Sequence, residues 1–77
     1  MSKSASAAFI APHIGEYFDG LVTGASDKGT WIRLLKPVLE GKIVQNVKGL
    51  DVGDRVRVKL ISVSVENGWI DFANTSR

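Results

Sequence analysis

The stretch 28–35 reads Lys-Gly-Thr-Trp-Ile-Arg-Leu-Leu and sets an indole and a guanidinium two residues apart. Successive side chains of a strand leave opposite faces of a sheet. Ile32 and Leu34 then point into a core, while Trp31 and Arg33 point outward. An aromatic ring beside a cation on a sheet surface is what stacks a nucleobase and holds its phosphate. The same pattern also fits an amphipathic strand whose Trp packs under a loop. Trp69 offers a second indole, with the same two readings: a base platform, or packing at a barrel edge or against a neighbouring domain. Lys28 and Lys42 lie on or beside the Trp31 face and, with Arg33, can pair phosphates. Arg55, Arg57 and Lys59 make a further basic stripe. It reads better as a solvated outer strand face whose like charges discourage edge pairing.

Other chemistries lack their residues. Asp51 and Asp54 stand in a turn sequence, where aspartate is common. His13 is the one histidine, with no base, nucleophile or carboxylate network beside it in sequence. No metal-ligand spacing, phosphate-cradling glycine loop or nucleophile elbow occurs. No catalytic residue, metal or cofactor is therefore expected in this chain. It has no cysteine, which excludes disulfides and thiolate metal sites. A length of 77 residues holds one domain with a small core. The net charge of +2 tilts toward an anionic partner, bound by a local cluster and not by the overall field. No apolar run approaches a membrane span, and residues 1–14 do not read as a signal peptide. The expected location is the cytoplasm, away from membranes, as a monomer.

The elements that must position these residues are strands. Residues 2–11 are alanine-rich and form either a frayed tail or a short helix, stopped by Pro12. From Gly15 the pattern turns to strand: 16–25 is rich in aromatic and β-branched residues. Phe18, Gly20 and Val22 share one face there, and Gly20 and Gly24 mark bends. A turn at 26–29 leads to the second strand, roughly 29–35. Residues 36–41 read as a connection, because Pro37 cannot donate to a ladder. A third strand spans about 42–47. A glycine- and aspartate-rich loop follows, with Leu50 and Val52 expected to plug one end. Val56, Val58 and Leu60 face in from the fourth strand. Ile61, Val63 and Val65 have the opposite parity, which requires a bulge near 60–62. Asn67-Gly68 signals a hairpin into a last strand, 69–72, with Ile70 and Phe72 inward. Five short strands with turns every 8–12 residues predict an all-β fold, and closure removes the sheet edges. The expectation is a five-stranded OB-fold barrel over 15–73. A short, partly disordered or helical N-terminal tail precedes it at 1–14, and a flexible end follows at 74–77.

These residues resemble a known family. Gly-Glu-Tyr-Phe-Asp-Gly-Leu-Val-Thr-Gly at 15–24 is similar to the opening strand of the RNA-binding OB domain named after ribosomal protein S1. So are Gly-Thr-Trp-Ile at 29–32, Glu-Gly-Lys-Ile-Val at 40–44, Val-Gly-Asp-Arg-Val-Arg-Val at 52–58 and Gly-Trp-Ile-Asp-Phe at 68–72. A narrower likeness, carried by Gly-Thr-Trp-Ile-Arg-Leu-Leu, Gly-Leu-Asp-Val-Gly-Asp-Arg-Val-Arg-Val and Ile-Asp-Phe-Ala, is to the C-terminal domain of ribonuclease II / ribonuclease R family exoribonucleases. The resemblance implies single-stranded RNA as ligand, with little sequence specificity, and an adjacent catalytic domain in a parent 3′–5′ exoribonuclease. Residues 2–11 would match the tail of that domain's last helix, and its cleavage chemistry would lie upstream.

The chain departs from the family pattern at four positions. Lys28 stands where a Phe is usual, Val44 where a His is usual, Val65 where an Asp is common and Trp69 where an Arg is common. Trp31 keeps the expected type. The implied RNA-binding set is Lys28, Trp31, Arg33, Lys42, Val44 and Trp69. The competing expectation is a structural module that docks on its own catalytic domain or a protein partner through Val44, Val65 and Trp69. A weaker resemblance of 27–32 to the second strand of cold-shock proteins implies single-stranded DNA binding, but their aromatic-rich strands are missing here.

Overall fold

Alternation at the second strand and turn chemistry on either side of it build the frame. In the computed structural model, which describes residues 5–36 and 38–75, the strands are β1 (Tyr17–Ser26), β2 (Gly29–Leu35), β3 (Val38–Gln45), β4 (Arg55–Ser64) and β5 (Trp69–Asn74). They close into a barrel in the order β1-β2-β3-β5-β4, with β1 returning to β4. All neighbours are antiparallel except β3 and β5, which run parallel. This is the expected five-stranded all-β barrel. Two bends fall where the sequence placed them. The β1–β2 register shifts between Val22 and Gly24, and the β4–β5 register shifts between Leu60 and Ser62. The second bulge keeps Val63 and Val65 against the core after the parity changes.

The core is one apolar cluster. Val22, Ile32, Leu34, Ile43, Val58, Leu60 and Phe72 are fully enclosed. Phe18 meets Phe72 edge-on, ring centroids 6.5 Å apart. The N-terminal segment joins this core. A helix, α1 (Ala5–Ile10), is followed by a 3₁₀ turn, Ala11–His13. Ala7 and Ile10 are buried in the cluster. The backbone then locks onto β4, with Gly15 donating to the Leu60 carbonyl and the Leu60 N–H donating to Glu16. Of the two expected forms, the helix is therefore the one observed over 5–10, and packing supplies the stability its length cannot.

Several expectations are corrected. β3 begins at Val38, not 42, because 38–41 pair with β2: Leu35 with Val38, Leu34 with Leu39, Arg33 with Glu40 and Ile32 with Gly41. It ends at Gln45, because Asn46 turns out of the strand at φ 58°. Val52 does not plug the barrel; it is 59% exposed. The aspartates explain this. Asp54 accepts from the Asp51 N–H and Asp51 from the Val52 N–H, so the loop closes on itself. Leu50 alone packs on the core. Val65, expected as an exposed docking contact, is half-buried there too. Pro37 as a ladder break lies outside the described residues, as do 1–4 and 76–77 of the two expected tails.

Asn74, expected in the C-terminal end, is the last residue of β5 and is buried. Its side-chain amide donates to the Asn46 carbonyl, and the Asn46 amide donates back to the Asn74 carbonyl, both at 3.1 Å. Thr75 continues the order, its N–H and hydroxyl both donating to the Arg57 carbonyl. The reciprocal pair pins the ends of β3 and β5 together. Asn74→Ala leaves the Asn46 carbonyl without that donor, so a loss of about 1–2 kcal/mol is expected. Urea unfolding followed by far-ultraviolet circular dichroism measures it.

Candidate nucleic-acid interface

The outward faces of β2, β3 and β5 meet in a groove of about 620 Å³. Trp31 stands at its β2 side. The register places Gly24 of β1 on one flank of Trp31 and Lys42 of β3 on the other. Gly24 has no side chain, and a Cβ there would sit 3.5 Å from the indole Cε3, so the ring leans over the β1 backbone. The Lys42 Nζ lies 5.8 Å from the indole centroid, a cation–π distance. Its stem runs across Gly29, where a Cβ would collide with the Lys42 Cε. Gly29 also needs φ 154° to leave the turn, so this glycine serves both the turn and the lysine. Trp31 remains 39% exposed despite these contacts.

Trp31, Lys42, Val44 and Trp69 all line this groove, so the fold brings together four of the six residues named from sequence. Trp69 is the most open of them at 64% exposed, at the start of β5 just after the hairpin turn. Asn67 steadies that turn by donating to the Ser64 hydroxyl. Arg33 is not in the groove. Its Nη2 lies 3.2 Å from Glu40 Oε2, its cross-strand neighbour, and both side chains are open to solvent. Such a pair is worth under about 1 kcal/mol. Lys28 is also outside the groove, exposed in the β1–β2 turn, its backbone N–H donating to the Ser26 hydroxyl.

Two charged groove residues escaped the sequence reading: Glu40 and Asp71. The alternation that sends Ile70 and Phe72 inward already places Asp71 outward beside Trp69. Glu40 was hidden by reading 36–41 as a connection. The Arg55–Arg57–Lys59 stripe belongs to another side of the barrel, where Arg57 Nε meets Asp19 Oδ1 of β1 at 3.3 Å. His13 Nδ1 lies 3.0 Å from Glu16 Oε2 at the surface. Among the described residues no cluster of three or more His, Asp or Glu side chains could hold a metal ion, and no helix is long and apolar enough to cross a membrane.

Residues 16–75 match the family model of the RNase II-type exonuclease C-terminal S1 domain. No curated protein matches the chain. Among solved structures, the fold is similar to part of apo RNase R from Mycoplasma genitalium, with a TM-score of 0.76 over 90% of this chain at 16% identity. The chain spans only 14% of that protein. It is also similar to the uncharacterised protein MJ1198 from Methanocaldococcus jannaschii, at 29% identity and a TM-score of 0.64 over 78% of this chain and 88% of the other. GSP13 from Bacillus subtilis is similar at 30% identity and a TM-score of 0.61, over 78% of this chain and 53% of the other.

Proposed function

The chain belongs to the family of RNase II-type exonuclease C-terminal S1 domains, which implies RNA binding, and from that premise we propose that it grips single-stranded RNA through the Trp31–Trp69 groove. The observation that carries this reading is the indole of Trp31, open to solvent on the sheet surface with the Lys42 ammonium beside it. Trp31 stacks one base and Trp69 a second. Lys42 neutralises the phosphate between them, and Lys28 the next along the turn. Arg33 can exchange Glu40 for a phosphate at small cost, because exposed pairs are weak. Val44 supplies apolar contact to a sugar or base. Every base has a stacking face, so these contacts carry little sequence specificity.

The reading extends to a larger enzyme. The domain holds substrate for the catalytic domain of a 3′–5′ exoribonuclease, and that domain's residues perform the cleavage. The docking reading finds support on a different surface from the one expected. Phe9, Ile14 and Tyr17 are exposed apolar residues on α1, after the 3₁₀ turn and at the start of β1, away from the groove residues. They suit contact with an adjacent domain, alongside RNA binding.

An oligouridine titration followed by amide NMR tests the proposal. Shift changes are expected on β2, β3 and β5, and their absence would reject the site. With Arg33 still paired to Glu40, the two contacts of Lys42 and Lys28 give a slope of log affinity against log salt near −1.4 for a single strand, at about −0.7 per phosphate. Affinity then falls roughly sevenfold between 50 and 200 mM salt. Lys42→Gln is expected to flatten that slope by about 0.7. An unchanged slope in the variant removes Lys42 from the phosphate path.

A further inference from the structure

The groove holds a carboxylate that the fold does not use. Asp71 faces outward on β5, in register with Lys42 of β3 and Ser62 of β4. It is half-buried and lines the groove together with Trp31 and Trp69. Among the described residues its side chain makes no hydrogen bond and no ion pair. The cation nearest in register is turned elsewhere, since the Lys42 Nζ stands over the Trp31 ring. The other acid of the groove, Glu40, is paired with Arg33.

An ionised carboxylate only accepts hydrogen bonds. Half-buried in the groove, reached by solvent and with no protein donor among the described residues, it is open to a ligand that brings donors. A phosphate cannot be that ligand, because two anions repel. The edge of a base can. Guanine carries two adjacent donors on its Watson–Crick edge, the N1–H and the exocyclic amino group, spaced to meet two carboxylate oxygens. Adenine and cytosine carry one amino group beside a ring acceptor. Uracil carries one N–H between two carbonyl oxygens, which a carboxylate repels. Aspartate accepting from a base amino group is an established form of base readout, and single-stranded RNA leaves these edges free.

Distances fit this use. Trp69 lies two residues along β5 on the same face, about 7 Å away, and Trp31 two strands across, about 10 Å away. A base stacked on either ring has its edge within reach of the carboxylate. We propose that Asp71 makes this groove select guanine at one position of a bound single-stranded RNA. The inference rests on the groove being the RNA site and adds to it a base preference that stacking and phosphate contacts do not supply.

The test titrates the 77-residue chain with the pentamers UUGUU and UUUUU by calorimetry and amide NMR. The wild type is expected to bind UUGUU about tenfold more tightly. Asp71→Asn keeps the shape but loses the charge and one acceptor, and is expected to bind both pentamers within about twofold of each other. Asp71→Ser, which removes the carboxylate by a different route, is expected to do the same. Equal wild-type affinities, with shift changes still centred on Trp31, overturn the preference and leave the RNA-binding reading intact. A preference that survives in both variants overturns it as well. Variants that bind neither pentamer also overturn it, because the carboxylate would then support the fold and not the base. If the wild type binds neither pentamer, both readings fall.

Discussion

Replacing Trp31 by alanine is expected to weaken oligouridine binding by about 1–3 kcal/mol, the usual worth of one base–aromatic stack. That is roughly fivefold to 150-fold in the dissociation constant. The expectation follows from position as much as from residue type. The ring leans over Gly24 and stands beside Lys42, so its geometry is set before RNA arrives, and little side-chain freedom is lost on binding. Alanine removes the platform and also frees Lys42, whose ammonium loses the ring that steadies it. Stability is expected to change little, by under about 1 kcal/mol, because the indole is outside the core and 39% exposed. The loss is therefore a binding effect and not an unfolding one, and urea midpoints of the two proteins check that. Trp31→Phe is expected to recover most of the affinity, since a phenyl ring keeps a stacking face. An alanine variant that binds as the wild type does would remove Trp31 from recognition altogether.

Gly41→Ala is expected to be among the most damaging single changes to the fold. Two effects oppose each other. Removing a glycine from a strand interior favours folding by roughly 0.5–1 kcal/mol through the unfolded chain. Here a Cβ would overlap the edge of the Phe72 ring and come within 2.8 Å of the Ile70 carbonyl oxygen. The ring could shift, but Phe72 is fully enclosed. The carbonyl belongs to β5, which is held by pairing on both sides. Overpacking of this kind costs about 1–3 kcal/mol and sometimes more. With an enclosed ring and a paired backbone in the way, the cost falls at the upper end of that range, the steric effect wins, and a net loss of about 2 kcal/mol is expected. In a domain of this size that lowers the melting temperature by roughly 8–16 °C. Phe72→Leu should damage the wild type and yet partly relieve Gly41→Ala, giving a coupling of about 1 kcal/mol in the double-mutant cycle. A Gly41→Ala protein that melts at or above the wild-type temperature would show that β3 can move away from β5.

Alternation made most of this fold legible. In β2 and the first half of β4 the inward and outward residues are those read from sequence, because each strand has one apolar face and a slip of one residue would expose all of it. The bulge in β4 was legible for the same reason, as a conflict of parity between Leu60 and Val63. The start of β3 was not. Pro37 made 36–41 read as a connection, yet Leu39 is buried and Glu40 pairs with Arg33. Long-range pairing with β2 and a close approach to Phe72 decided that segment, and neither has a local signal. Val52 misled in the opposite way. It is apolar and lies next to Leu50, but two aspartates satisfy the loop backbone and leave Val52 outside. For the candidate site, residue type found Trp31, Lys42 and Trp69. It did not show that Arg33 is already held by Glu40, because that depends on the register between two strands.

The chain has two tryptophans, and both line the groove while the enclosed core holds none. Its indole emission thus reports the groove and says little about the interior. Native light should already be red-shifted, as from wet rings, and a chemical melt watched at that wavelength will change far less than the fold does. A bound base, by contrast, will quench it directly. One spectroscopic channel is tied to the ligand and another, the peptide backbone, to the scaffold, so occupancy and unfolding can be followed in the same cuvette without labels.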